Sequence, residues 1–189
     1  MNISVLFNPF EKYNEKDLLG FGFLALVLGS LFAFWWNARY DGALDLHFSY
    51  GVKWWEPFVD NFINLSSISL IFYGIGKIIY KKTRFIDILA LSLVARFPLY
   101  LLTLTNINGA NQKYTETLLT TLPDLIFTEG LIPLLIFSLI GILLLLWMIV
   151  LFYKGFKIST NSKGWKLNVG IVIALILSEV LSKIIFNLI

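Results

Sequence analysis

From Leu131 to Tyr153 the chain carries no charged side chain, and four other stretches of similar length come close to this. An α-helix rises 1.5 Å per residue, so a run of about 20 apolar residues is long enough to cross the hydrocarbon core of a bilayer. The expected fold is therefore all-α: a polytopic membrane helix bundle with five transmembrane helices at about 19–36, 59–80, 85–105, 131–153 and 166–188. These form a single domain over 1–189 with a short N-terminal tail. The third span is interrupted by Arg96 and Pro98.

Composition supports this reading. Apolar residues make up 58% of the 189 residues and charged ones only 14%, against about a quarter in an ordinary soluble domain. With no cysteine, disulfide frameworks, thiolate metal sites and thiol nucleophiles are excluded. The formal charge of +3 comes from lysines and arginines better explained by membrane topology than by nucleic acid, which is not an expected partner. The first run follows a segment holding Glu11, Glu15 and Asp17 beside Lys12 and Lys16, and it ends in Phe34, Trp35 and Trp36. It lacks the small-residue cleavage site of a signal peptide and is expected to be a retained span.

Basic residues resist transfer across an energised membrane, so their distribution predicts orientation. With the N-terminus cytoplasmic, Lys12, Lys16, Lys77, Lys81, Lys82, Arg84, Lys154, Lys157, Lys163 and Lys166 lie inside, whereas Arg39, Lys53 and Lys113 lie outside. The outer loops, about 37–58 and 106–130, instead hold Asp41, Asp45, Glu56, Asp60, Glu116, Asp124 and Glu129. The C-terminus is then on the far side, and a bacterial inner membrane fits the absence of cysteine. Trp35, Trp36, Trp54, Trp55, Trp147 and Trp165 are expected at span ends, where an amphipathic ring sits at headgroup level. Residues 52–58 could lie along the interface.

Small residues let helices approach closely in lipid. Gly22, Ala25, Gly29 and Ala33 form such a stripe on the first span, and Gly170, Ala174, Ser178 and Ser182 on the fifth; the second offers Ser66, Ser69, Tyr73 and Gly76. Such faces suit helix contacts within the chain. They also suit self-association or contact with other membrane proteins, with the lipid bilayer as the expected surrounding partner.

A charge inside a span costs on the order of 2.5–3.5 kcal/mol, so Arg96, Glu179 and Lys183 each require a partner or a purpose. Counted from the inner helix ends, Arg96 lies about 16 Å and Glu179 about 20 Å deep, which predicts a direct Arg96–Glu179 contact between the third and fifth spans. Lys183, one turn beyond, could share that carboxylate or reach outward. A fixed ion pair that specifies assembly and a titrating or anion-binding pocket both fit these residues. Pro98 removes an intrahelical donor and predicts a kink beside Arg96.

In the loop from Arg39 to His47, Asp41 and Asp45 would share a helical face with His47 nearby, a set able to hold a divalent ion but also to serve as turns and solvated charges. The spacing matches no established metal motif, and no metal or other cofactor is expected. Phosphate-binding Gly-Lys loops, His-Glu-x-x-His and Gly-x-Ser-x-Gly are missing, so an enzyme is not expected.

Asp17-Leu18-Leu19-Gly20 resembles the Asp-Leu-Tyr-Gly-Pro signature of the Ypt-interacting-protein (Yip) family, with Leu19 for the tyrosine and Phe21 for the proline. Asn8-Pro9-Phe10, the Arg39–His47 segment and Asp87-Ile88-Leu89 look like its bacterial branch. That resemblance implies a non-enzymatic five-span membrane protein, of a family that in eukaryotes associates with small GTPases and related membrane proteins in vesicle traffic. A small transporter or channel subunit using an Arg/Glu site is the alternative.

Overall fold

A computed structural model describes residues 4–120 and 131–188. Asp124 and Glu129 of the acidic tally lie outside the described residues. The chain is an all-α bundle with five helices long and apolar enough to cross a membrane, the fold of a multi-pass membrane protein.

A short N-terminal helix α1 (Ser4–Phe7) and a 3-10 turn (Pro9–Glu11) precede α2 (Glu15–Trp35). Asn14 caps α2 by accepting the Asp17 amide at 2.9 Å, and Glu15 and Asp17 sit in its first turn, where carboxylates suit the helix dipole. The first span thus starts one turn before its apolar run. At its other end Asn37 adopts a left-handed conformation (φ 53°) and turns the chain into a hairpin whose strands β1 (Ala38–Arg39) and β2 (His47–Phe48) pair antiparallel.

Helix α3 (Glu56–Ile79) begins where the Glu56 carboxylate accepts the Lys53 amide at 2.9 Å, beside exposed Trp54 and Trp55. It ends at a tight turn in which the buried Thr83 hydroxyl contacts the Gly76 and Tyr80 carbonyls at 3.1 and 2.8 Å. The third span is broken as Pro98 predicts: α4 (Phe85–Ala95) stops at Arg96, and α5 (Phe97–Leu102) starts anew with Pro98 in its first turn. A 3-10 segment (Thr103–Gly109) with a non-helical kink at Asn106–Asn108 leads to α6 (Ala110–Thr120). The outer connection at about 106–130 is therefore helical over Ala110–Thr120.

Helix α7 (Leu131–Thr160) runs two turns past its apolar stretch, since nothing breaks it before Asn161 and Gly164, both at positive φ. Trp147 consequently lies inside the helix rather than at a span end, and its indole N–H donates to the Leu6 carbonyl at 2.9 Å. Helix α8 (Trp165–Leu188) packs chiefly on α3.

Both complete small-residue stripes are buried against neighbouring helices. A Cβ on Gly22 would lie 2.5 Å from the Leu93 Cβ, and one on Gly29 would meet the Tyr100 ring at 2.5 Å. On the second span Ser69 and Gly76 are buried, with Ser66 and Tyr73 only partly so. Phe72 anchors the core with ring centroids 5.2 Å from both Phe152 and Phe156. The α3–α4 and α7–α8 turns meet at one end of the bundle, around Gly76, Thr83 and Thr160, which we call the basic end. The hairpin occupies the opposite end.

Candidate functional site

The hairpin is not a solvated loop. Ala38, Tyr40 and Ala43 are fully buried, and the segment between the strands is held by polar side chains from three spans. Helix α3 provides the first hold. Asp60, only 1% exposed, receives Arg39 Nε at 2.7 Å and Nη2 at 2.8 Å, and also the Tyr40 amide at 3.1 Å. These bonds raise the pKa of Arg39 above its ordinary value, the hydrogen bond to Asp60 contributing most. One turn along, Asn64 Nδ2 donates to the Tyr40 carbonyl at 2.7 Å. Tyr40 donates its hydroxyl to the Gly29 carbonyl at 3.1 Å, and burial pushes the phenol well above its usual pKa, so it remains a donor.

The second hold is Arg96, 0% exposed at the break between α4 and α5. Its Nη1 donates to the Ala43 carbonyl at 2.9 Å and its Nη2 to Asn61 Oδ1 at 3.1 Å. Asn61 passes the polarity on: its Nδ2 donates to Ser30 Oγ at 2.9 Å, and Ser30 donates to the Leu26 carbonyl at 2.9 Å. The Tyr40 and Tyr100 rings lie 5.8 and 6.0 Å from the guanidinium carbon, and face each other edge-on at 5.6 Å. Charge is thus dispersed over a carbonyl, an amide and two aromatic rings.

Helix α8 supplies the third. Ser182 Oγ accepts the Ala43 amide at 3.0 Å and Glu179 Oε2 accepts the Leu44 amide at 2.8 Å. Lys183 lies 3.2 Å from Glu179 Oε1 and 2.8 Å from Asp45 Oδ2. The hydrogen bond from Lys183 lowers the Asp45 pKa. A Cβ on Gly42 would meet Glu179 Oε1 at 2.5 Å, so the loop needs a glycine where it crosses this carboxylate.

The sequence expectation of a direct Arg96–Glu179 contact is corrected here. Among the described residues no ion pair joins them; the Ala43–Leu44 peptide lies between, its carbonyl side bound by Arg96 and its amide side by Glu179. Both side chains reach the same peptide unit, so backbone rather than a carboxylate met the guanidinium. Lys183 does share the Glu179 carboxylate. Asp41 and Asp45 do not share a helical face, because the chain between them bends without forming a helical turn: Asp41 lies 3.0 Å from His47 Nδ1, while Asp45 turns to Lys183. No cluster of three His, Cys, Asp or Glu able to hold a metal occurs among the described residues.

Compared with known proteins, the chain matches no family model, no curated protein and no solved structure. What this arrangement does has to come from its own chemistry.

Asp60, Asn61 and Asn64 escaped the sequence reading, which counted Asp60 as an outer-loop acid. Their signal was present: three strongly polar residues on one face of an otherwise apolar span. Such a face in lipid requires a polar partner. The finished network leaves Arg96 Nε, Asn64 Oδ1, Ser67 Oγ and Ser178 Oγ buried without a hydrogen-bond partner.

Proposed function

We propose that this chain is a non-catalytic membrane organising or interaction protein of the Yip-like type, with its N-terminus cytoplasmic and its C-terminus on the opposite side of a bacterial inner membrane. One observation carries the reading. The charged side chains Asp60, Arg96, Glu179 and Lys183, all carried by spans, are engaged in fastening the hairpin to the bundle. Groups so used define a rigid shape rather than a reaction centre. The lysines and arginine of the basic end support the orientation.

Partner contact within the membrane would use faces the chain does not cover itself. Ile132, Leu135, Ile136, Leu139 and Leu143 are exposed on the hairpin half of α7, whereas both small-residue stripes are already occupied.

A small transporter or channel subunit is the second reading, favoured by the unpartnered Arg96 Nε and Ser178 Oγ inside the bundle. Purification with co-isolated partners, alongside flux measurements on the protein in liposomes, separates the two. Reproducible co-isolation of defined membrane proteins without flux supports an organising role. Specific ion or proton-coupled flux by the isolated chain overturns it.

A further inference from the structure

Two cavities adjoin near the basic end and share Tyr13 and Leu18 as walls. The first, of about 330 Å³, is apolar and is lined by Val5 and Leu6 of the N-terminal arm, Phe21 of α2, Phe97 of α5, and Trp147 and Leu151 of α7. The second, of about 450 Å³, is mixed: apolar walls that include Phe10 and Ile158 are joined by the polar side chains of Asn14, Glu15, Arg84, Asp87 and Ser159. Both fall in the size range of small-molecule sites.

The arm is fixed over the apolar cavity. Trp147 holds the Leu6 carbonyl, Phe7 packs on the Trp147 ring at 6.2 Å, and Phe10 fills the notch left by Gly155, where a Cβ would approach its ring to 3.0 Å. The two cavities succeed one another along the third span and α7, since Val94 and Phe97 with Trp147 and Leu151 line the first and Arg84, Asp87 and Ala90 with Gly155 and Ser159 the second. Arg84 begins the third span and Phe97 follows its break, and at 1.5 Å per residue the two are about 20 Å apart along that span. Ser159 and Trp147 on α7 have nearly the same separation, about 18 Å. One leaflet of hydrocarbon is about 15 Å deep. A polar group at Arg84 with an attached chain reaching Phe97 thus has the dimensions of one lipid.

Charge selects the head. Arg84 donates Nε to Asp87 at 2.9 Å and Nη2 to Asp87 and Glu15, so two carboxylates face one guanidinium, with Asp17 on the rim of the apolar cavity. Among the side chains that line the cavities the surplus is negative, although Lys12 lies close by over the Tyr13 ring, and this disfavours an anionic headgroup and suits one carrying an ammonium beside its phosphate. The phosphate would meet Arg84 through Nη1, the nitrogen its ion pairs do not use, and the ammonium would donate to Glu15 and Asp87.

We infer that the paired cavities bind one zwitterionic phospholipid bearing a primary ammonium headgroup, its acyl chain beneath the N-terminal arm and its head between α2, α4 and α7. The inference does not depend on which side of the membrane the basic end faces, nor on the organising role.

The test is native mass spectrometry of the full chain released from nanodiscs containing equal amounts of phosphatidylethanolamine, phosphatidylcholine and phosphatidylglycerol. Phosphatidylethanolamine should be retained at one per chain, about tenfold over either competitor. Glu15→Gln combined with Asp87→Asn leaves Arg84 unopposed and should turn the preference toward phosphatidylglycerol, an inversion that mere loss of structure does not produce. Val5→Trp fills the apolar cavity from the arm and should reduce retention of all three lipids with the thermal midpoint unchanged. Equal retention of the three lipids by the unaltered chain, or retention unaffected by Val5→Trp, means annular lipid only and overturns the site. An unchanged phosphatidylethanolamine preference in the Glu15/Asp87 variant overturns the headgroup assignment.

Discussion

The Arg96 guanidinium donates to the main-chain carbonyl of Ala43, 53 residues earlier in the chain, at 2.9 Å, and its second arm reaches Asn61. A buried cation in lipid is here neutralised by dipoles rather than by a carboxylate.

Energetic coupling should follow these contacts. Asn61→Leu strands a buried guanidinium nitrogen and should lower stability by about 3 kcal/mol, with part recovered when Arg96→Met is added. Arg96 and Glu179 communicate only through the Ala43–Leu44 peptide, and their coupling should stay below about 1 kcal/mol. Double-mutant cycles on thermal unfolding in detergent measure both, and a larger coupling for Arg96–Glu179 than for Arg96–Asn61 contradicts the network.

Asp60 carries the other half of the hairpin attachment. Asp60→Ala leaves the Tyr40 amide without its acceptor and Arg39 with only the Glu56 carboxylate, 3.2 Å from its Nη1, and should cost about 3 kcal/mol. Tyr40→Phe removes one hydroxyl donor and should cost about 1 kcal/mol. Because the lesion lies in the hairpin, Asp60→Ala should also speed proteolytic cutting between Arg39 and His47, and unaltered proteolysis would speak against docking.

The depressed pKa of Asp45 sets the sign of a pH effect. A carboxyl whose folded pKa lies below its unfolded value stabilises the fold above the unfolded pKa, and that stability is lost as pH falls through the folded pKa. Hairpin protection in hydrogen exchange should therefore weaken below about pH 4, and Asp45→Asn should flatten this dependence. The effect is small, since Asp45 is 46% exposed and water screens the pair. A variant that still loses protection over the same interval shows that another group is responsible.

Close helix approach separates two glycines of the same chain. Gly22→Ala places a methyl against Leu93 side chain and backbone and should destabilise by about 1–3 kcal/mol. Gly74→Ala meets nothing within 4 Å and should be neutral or stabilising by up to about 1 kcal/mol through helix propensity. Equal effects in detergent unfolding would remove the packing argument.

Orientation is testable because the chain has no cysteine of its own. Single cysteines replacing Lys82 and Asn161 should label from the cytoplasmic side, and one replacing Asn111 from the other. Labelling of all three from one side is incompatible with five crossings.

Local pattern carried much of this architecture. Gly22, Ala25, Gly29 and Ala33 announced a packing face through their spacing alone, and Pro98 announced the break. Arg96 also declared that it needed a partner. Its actual partner was illegible because every residue owns a carbonyl, so an acceptor like that of Ala43 leaves no trace in residue identity. For the same reason the hairpin read as solvent-facing: Asp41, Asp45 and His47 resemble an ordinary polar loop, and only the three polar residues of α3 hinted that something descends to meet them. Helical periodicity ranks faces within one element. It does not say which distant segment will occupy them.

The hairpin's attachments also impose an order on biogenesis. Ala43 and Asn61 are synthesised before Arg96, so the guanidinium enters the bilayer with both acceptors already made. The Ala43 and Leu44 amides must wait for Ser182 and Glu179, near the end of the chain. Until α8 is inserted, the nascent protein holds this segment by one edge only, and the last helix acts as its latch.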